Sequence, residues 1–128
     1  MLPKKFRLHA DKDIKNLVRG GKTFFLPQLT LKYQYNNQNL LRLGFVVSTK
    51  VDKRAVVRNK TKRRMREAIR PELSKIKVGV DILFIAKKSC VGLTLPDLQK
   101  QFQFALKTTR LYIESNVKSN KDNRPLVG

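Results

Sequence analysis

The spacing of apolar residues near the start of the chain predicts a short helix. Asp11 begins the segment with a side chain suited to cap a helix N-terminus, and apolar residues then repeat at helical spacing. Gly20 and Gly21 follow the last of these apolar residues, and glycine favours the backbone conformation in which helices commonly end. We therefore expect a helix over about residues 11–19.

Two segments of alternating apolar and polar residues follow, and each predicts a half-buried strand. Residues 28–35 place leucine and tyrosine on one face and polar side chains on the other, and residues 40–48 repeat the pattern. Only a polar turn at 36–39 separates the two segments. Because short turns join antiparallel neighbours, we expect these strands to form a hairpin.

The second half of the chain alternates helix, strand and helix. Helical spacing predicts a helix over about 56–70 that ends near Pro71. Residues 80–86 are almost all apolar, which is typical of a strand buried on both faces. Thr94, with Asp97 three residues on, predicts the start of the last helix. The pattern predicts an α+β fold, a single-domain α/β sandwich with helices packed on a sheet.

Charge is the compositional feature that bears most on function. The chain has 128 residues, 29 of them lysine or arginine and 9 aspartate or glutamate, and its formal net charge is +20. This length suits a single domain. Self-repulsion of this size destabilises a compact chain unless a polyanion neutralises it, so nucleic acid is the first candidate partner.

Composition also disfavours several classes of protein. No apolar run is long enough to span a bilayer, and no apolar run follows the basic start as in a secretory signal, so we expect no membrane partner. A single cysteine, Cys90, forms no internal disulfide, which suits a reducing cytoplasm. His9 is the only histidine and the acidic residues are scattered, so the sequence offers no catalytic or metal-binding set.

The strongest local feature is a basic run at residues 58–66. Six of its nine residues are cationic, and no acidic residue occurs before Glu67. An ordinary solvated helix face mixes charges of both signs, because opposite charges one turn apart attract. This run therefore favours a surface that contacts nucleic acid.

Three other side chains leave two interpretations open. Phe24 and Phe25 can stack on nucleic-acid bases or can pack under the sheet. Cys90 has lysines nearby that could lower the pKa of its thiol, although a structural or incidental thiol is the favoured interpretation of its place after a buried strand.

The basic run fits the pattern Arg-Asn-Arg-x-Lys-Arg-x-x-Arg, with Lys60 at its third position. With its flanking segments at 2–8, 43–48 and 81–86, the chain resembles the protein subunit of bacterial ribonuclease P over about residues 2–112. The resemblance implies the order α-β-β-β-α-β-α, with a left-handed βαβ crossover through the basic helix. It also implies a domain at 1–114, and the basic composition of 115–128 predicts a disordered tail.

The resemblance implies a function in tRNA maturation. In this family an RNA subunit is the catalyst of the endoribonuclease, and it removes the 5′ leader of precursor tRNA with Mg²⁺. The protein binds no cofactor of its own and contributes no catalytic residue. Its expected partners are the catalytic RNA subunit and the precursor leader. A basic ribosomal protein is the alternative with the same electrostatics, and a stand-alone nuclease is a second.

Two groups of candidate site residues follow from the resemblance. Contacts to the RNA subunit are expected from Arg58, Asn59, Lys60, Lys62, Arg63 and Arg66, with Lys50, Lys53 and Arg54 extending the surface. Contacts to the leader are expected in a groove between the first helix and the sheet, from Ile14, Val18, Leu31, Tyr33, Phe45 and Arg7. Family members often carry aromatic residues where this chain has Ile14 and Val18. The sequence does not show which sheet face lines the groove.

Overall fold

The computed structural model of the protein describes residues 11–36 and 39–113. The expected features at Arg7 and in the basic tail at 115–128 lie outside the described residues. The described elements form one α+β domain within the expected range 1–114.

Within these described ranges, three helices and four strands follow one another in the order that the resemblance implies. Their bounds are α1 Asp11–Gly20, β1 Lys22–Phe25, β2 Leu29–Tyr35, β3 Leu41–Val46, α2 Ala55–Ile69, β4 Val80–Ala86 and α3 Leu95–Thr108. One 3₁₀ turn follows α2 at Arg70–Lys75 and another follows β4 at Lys88–Cys90. The predicted cap of the last helix is confirmed, because Thr94 Oγ1 accepts a hydrogen bond of 3.3 Å from the backbone N–H of Asp97.

The sheet pairs its strands differently from the prediction. Its order is β1-β2-β4-β3, so the predicted hairpin between β2 and β3 is wrong. The hairpin is instead β1–β2, and β4 lies between β2, to which it is antiparallel, and β3, to which it is parallel. Strand β4 occupies the centre because six of its seven residues are buried, and apolar side chains on both faces need cover on both sides.

The helix α2 connects the parallel strands β3 and β4, which confirms a βαβ crossover. Its left hand stays a prediction from the resemblance. Strand β1 went unnoticed in the sequence because it has only four residues, Lys-Thr-Phe-Phe, and these do not alternate in polarity.

The main core lies on the sheet face that α2 and α3 cover. Phe84 is fully buried at its centre, with its ring centroid 4.6 Å from that of Phe102 on α3 and 5.5 Å from that of Phe45 on β3. Met65 and Ile69 bring α2 into the same cluster. The long basic helix is therefore anchored by its apolar side.

Among the described helices, α1 is the one that packs on the opposite face of the sheet. Leu17 is buried against Leu83 of β4 and anchors this helix to the sheet. The turn into β1 is tight: the N–H of Gly21 donates 2.8 Å to the carbonyl of Leu17. A Cβ at Gly21 would lie 2.6 Å from that carbonyl oxygen, so any side chain there would displace α1.

A polar cluster joins three elements at the end of the sheet near the C-terminus of α1. The carboxylate of Asp81 accepts 2.9 Å and 2.8 Å hydrogen bonds from Nε and Nη2 of Arg42 and a 2.8 Å bond from Asn36 Nδ2. Asp81 is buried, so this paired geometry offsets the cost of removing its charge from water. The cluster ties β4 to β3 and to the end of β2.

Candidate nucleic-acid interface

The helix α2 divides its surface between the core and the solvent. Its buried side chains are Thr61, Met65, Ala68 and Ile69. Asn59, Lys60 and Arg63 are exposed, while Lys62 and Arg66 are half-buried. The apolar stripe therefore fixes the helix, and the cationic arc faces outward.

Two arginines of the basic run hold neighbouring loops. Arg64 Nη1 donates 3.0 Å hydrogen bonds to the carbonyls of both Val91 and Leu93, after β4. Arg58 Nη1 donates to the carbonyls of Lys53 and Asp52, at 2.8 Å and 3.0 Å. Arg58 was predicted to contact RNA, and the structure gives its guanidinium this additional role in shaping the loop before α2.

The loop at 49–54 extends the cationic arc and contains an ion pair. Lys50, Lys53 and Arg54 are exposed, as the prediction requires. Asp52 accepts hydrogen bonds of 3.0 Å from Arg54 Nε and 2.9 Å from Nη2. These bonds, together with one from the backbone N–H of Arg54, lower the pKa of Asp52 to about 2. Arg54 therefore meets any incoming phosphate with a carboxylate already bound to it.

We call the surface formed by α1 and the sheet face beneath it the α1 groove. Directly paired residues cross that face from one edge to the other as Phe25, Thr30, Ile85 and Val46. We call these four residues the floor row. Ile14, Val46 and Ile85 are partly buried and pack against the pair Leu17–Leu83, whereas Val18 is 47% exposed. An apolar helix edge thus lies beside a partly apolar floor.

Three of the residues predicted for the leader lie elsewhere. Leu31 pairs with Phe84, Tyr33 with Ile82, and Phe45 also with Phe84. All belong to the core face under α2 and α3, the face opposite α1. Side chains of a strand alternate between faces, so these three cannot line the α1 groove. Their placement in the groove is corrected to the core.

Sequence reasoning missed the residues that do line the groove. On β2 they are Thr30 and Lys32, which alternate with the buried leucines and therefore point to the α1 face. The choice left open for the two phenylalanines is resolved by the same alternation: Phe24 packs against the core, and Phe25 is 73% exposed. The polar half of the alternating β2 pattern was the signal that could have found this face.

Cationic side chains border the floor row. Lys87 Nζ lies 5.8 Å from the centroid of the Phe25 ring and donates 2.6 Å to the carbonyl of Leu26. Lys32 Nζ donates 2.8 Å to Thr23 Oγ1 on the neighbouring strand. Lys88 follows Lys87 and lies beside Lys50 at the loop before α2. Positive charge therefore extends from the α1 groove to the basic loop at 49–54.

Other chemistry has little support among the described residues. Burial raises the pKa of the Cys90 thiol to about 11, against a smaller opposing effect of Arg64, which favours the structural interpretation of that cysteine. No three histidine, cysteine or carboxylate side chains of residues 11–36 and 39–113 come together as metal ligands. Within the same ranges no helix is both long and apolar enough to cross a membrane.

Comparisons with known proteins agree with the geometry. A family model described as Ribonuclease P matches residues 2–110. The ribonuclease P protein component of Streptococcus pneumoniae serotype 4 is 34% identical over 116 residues, covering 90% of this chain and 93% of that protein. The same component of Clostridioides difficile is 36% identical over 107 residues, covering 83% and 93%.

Solved structures show the same likeness. The ribonuclease P protein of Staphylococcus aureus superposes with a TM-score of 0.76 at 28% identity, covering 86% of this chain and 100% of that one. The protein of Thermotoga maritima gives a TM-score of 0.71 at 27% identity, covering 80% and 96%. The chain is thus similar to these proteins along nearly all of its described length.

Proposed function

The chain belongs to the ribonuclease P protein family and is the protein cofactor of that tRNA-processing ribonucleoprotein, and we propose that it binds RNA through two separate surfaces. One is the cationic arc of α2 with the loop at 49–54, and the other is the α1 groove. The observation that carries the proposal is the division of α2 into a buried apolar side and an exposed cationic side. The ribosomal alternative is not favoured by the comparisons.

The α2 surface is proposed to bind phosphates of the RNA subunit. Its members are Asn59, Lys60, Lys62, Arg63 and Arg66, with Lys50, Lys53 and Arg54 from the loop. Lysine and arginine that contact phosphates displace bound counterions, which supplies much of the affinity. Asn59 adds a directional hydrogen bond. Arg58 supports this surface through the loop carbonyls that it holds.

The α1 groove is proposed to bind the single-stranded 5′ leader of precursor tRNA. Ile14 and Val18 offer apolar contact to bases from one side, and the floor row lies beneath them. Lys32 and Lys87 provide cations for the phosphates. Cleavage itself is assigned to the RNA subunit and its Mg²⁺, as the family resemblance implies. The cytoplasm, suggested by the single cysteine, is the proposed place of action.

Reconstitution tests the proposed function. The protein, the catalytic RNA subunit and precursor tRNA are combined at a low Mg²⁺ concentration, and 5′ cleavage is followed with each component omitted in turn. We expect cleavage only when both subunits are present. Cleavage by the protein without RNA would support the stand-alone nuclease instead, and failure of the protein to restore cleavage would contradict the role as cofactor.

The variant Val18→Phe tests the leader groove separately. The side chain of Val18 is 47% exposed, so a larger ring there avoids the cost of about 1–3 kcal/mol that overpacking imposes in a filled core. Stacking on a leader base contributes about 1–3 kcal/mol. We expect an unchanged melting temperature and an equal or higher ratio of holoenzyme affinities for precursor and mature tRNA.

A large fall in melting temperature without a change in that affinity ratio would contradict the groove at this position. Leu17→Phe is the matched control, because Leu17 is buried one residue earlier on the same helix. This control should lower the melting temperature, since the added ring has no space between α1 and the sheet.

A further inference from the structure

We propose that Phe25 forms a base-stacking subsite for the precursor leader at the β1 edge of the sheet. This inference rests on the proposed leader-binding role of the α1 groove and names the residue that would provide its aromatic contact. The Phe25 side chain is 73% exposed, so its ring is accessible to a base.

The position of Phe25 connects it to the groove. It is paired with Thr30, Thr30 with Ile85, and Ile85 with Val46, so all four side chains share the face on which α1 packs. With neighbouring strands about 4.8 Å apart, the floor row spans about 14 Å from Val46 to Phe25. A single RNA strand of a few nucleotides laid along this row would reach the phenylalanine ring.

Apart from Phe25, neither the floor row nor the apolar edge of α1 provides an aromatic ring. The helix contributes Ile14 and Val18, which are aliphatic, and the remaining floor residues are aliphatic or a threonine. Bases stack on aromatic rings with a preference that is nearly independent of sequence, and aliphatic side chains give apolar contact only. Phe25 therefore provides from the sheet the kind of contact that the helix does not.

The charges around Phe25 favour single-stranded RNA as the occupant. Lys87 Nζ lies 5.8 Å from the centroid of the Phe25 ring. Lys32 lies on the same face in the neighbouring row, where it is paired with Thr23 and donates a hydrogen bond to its hydroxyl. Lys88 lies beside Lys50 in the loop at 49–54, which belongs to the surface proposed to bind the RNA subunit. Alternating stacking and phosphate contacts along a positive groove are the usual arrangement for binding single strands.

The test compares holoenzymes that contain the wild-type protein, Phe25→Ala or Phe25→Trp. The quantity measured is the ratio of affinities for precursor tRNA and mature tRNA. We expect Phe25→Ala to lower the ratio at least about fivefold through weaker precursor binding, with mature tRNA bound as before. Phe25→Trp should restore the ratio, because an indole ring stacks at least as well as a phenyl ring.

Phe104→Ala is the matched control. Its ring is 58% exposed on α3, on the core side of the sheet away from α1, so the affinity ratio should not change. Melting temperatures show whether each variant is folded. Since Phe25 is exposed, its replacement by alanine should change the melting temperature little.

The outcomes separate this inference from the proposed function. If the wild-type holoenzyme binds precursor and mature tRNA equally, leader binding itself fails. If wild type prefers the precursor and Phe25→Ala keeps the same preference, the stacking subsite alone is overturned. Dimerisation of the free protein that Phe25→Ala abolishes, with no change in the affinity ratio, would assign the ring to a contact between two copies of the chain.

Discussion

Replacing Lys60 and Arg63 together with alanine is expected to weaken binding of the RNA subunit roughly hundredfold, because two charged contacts contribute about 3 kcal/mol together. Both side chains are exposed on the cationic arc of α2. Loss of two phosphate contacts should also reduce the slope of log affinity against log salt by about 1.4–1.8. Arg58 is a less suitable target, since its removal also releases the loop carbonyls that it holds.

The matched control for this pair is Lys100→Ala with Lys107→Ala. It removes the same charge from exposed positions on α3. If affinity depended only on net charge, the two double variants would bind equally weakly. An unchanged salt slope for Lys60→Ala with Arg63→Ala would show that α2 does not present the RNA-binding surface.

Asp81→Asn is expected to lower the free energy of unfolding by about 2–4 kcal/mol, because it removes the carboxylate that pairs with a partly buried guanidinium. Arg42 contacts this carboxylate through two nitrogens, and its side chain is only 21% exposed. The size matters because whole domains of this kind are stable by about 5–15 kcal/mol. Urea denaturation followed by circular dichroism measures the change.

Glu67→Gln controls for the change in net charge. Glu67 is exposed on α2, so its neutralisation should change stability by less than about 0.5 kcal/mol. Equal destabilisation by the two variants would mean that overall repulsion among the cations, rather than the Asp81 cluster, sets the effect. In the absence of denaturant, the folded Asp81→Asn variant should still bind the RNA subunit. The helix α2 packs on the face of the sheet opposite the Asp81 cluster, so its surface is unaffected.

The helices and the central strand could be predicted from sequence because their signals are local. Helical spacing puts Met65 and Ile69 on one side of α2 and Arg63 on another, and the structure buries the first two and exposes the third. Strand pairing could not be predicted in the same way. The short turn after β2 favours a hairpin with β3, whereas in the structure the almost entirely apolar and buried β4 lies between them.

The candidate site could be predicted only in part, because only some of its residues depend on local signals. The exposed cations of α2 follow from one helix and need no knowledge of the sheet. The leader residues on strands depend on which face α1 covers, and that face is set by Leu17 packing on Leu83, a contact between distant segments. The prediction for Leu31, Tyr33 and Phe45 therefore names the wrong face, and the sequence alone allows two interpretations of Phe25.

The central place of β4 also bears on how the protein is made. The strands β1 and β2 are adjacent in sequence and in the sheet, whereas β3 has no partner strand until residues 80–86 have been synthesised. Closing the sheet then requires contacts between segments far apart in sequence, which slows folding. The floor row also depends on β4, because Ile85 lies between Thr30 and Val46. A nascent chain that ends before β4 should therefore present its basic helix before it possesses a complete leader groove.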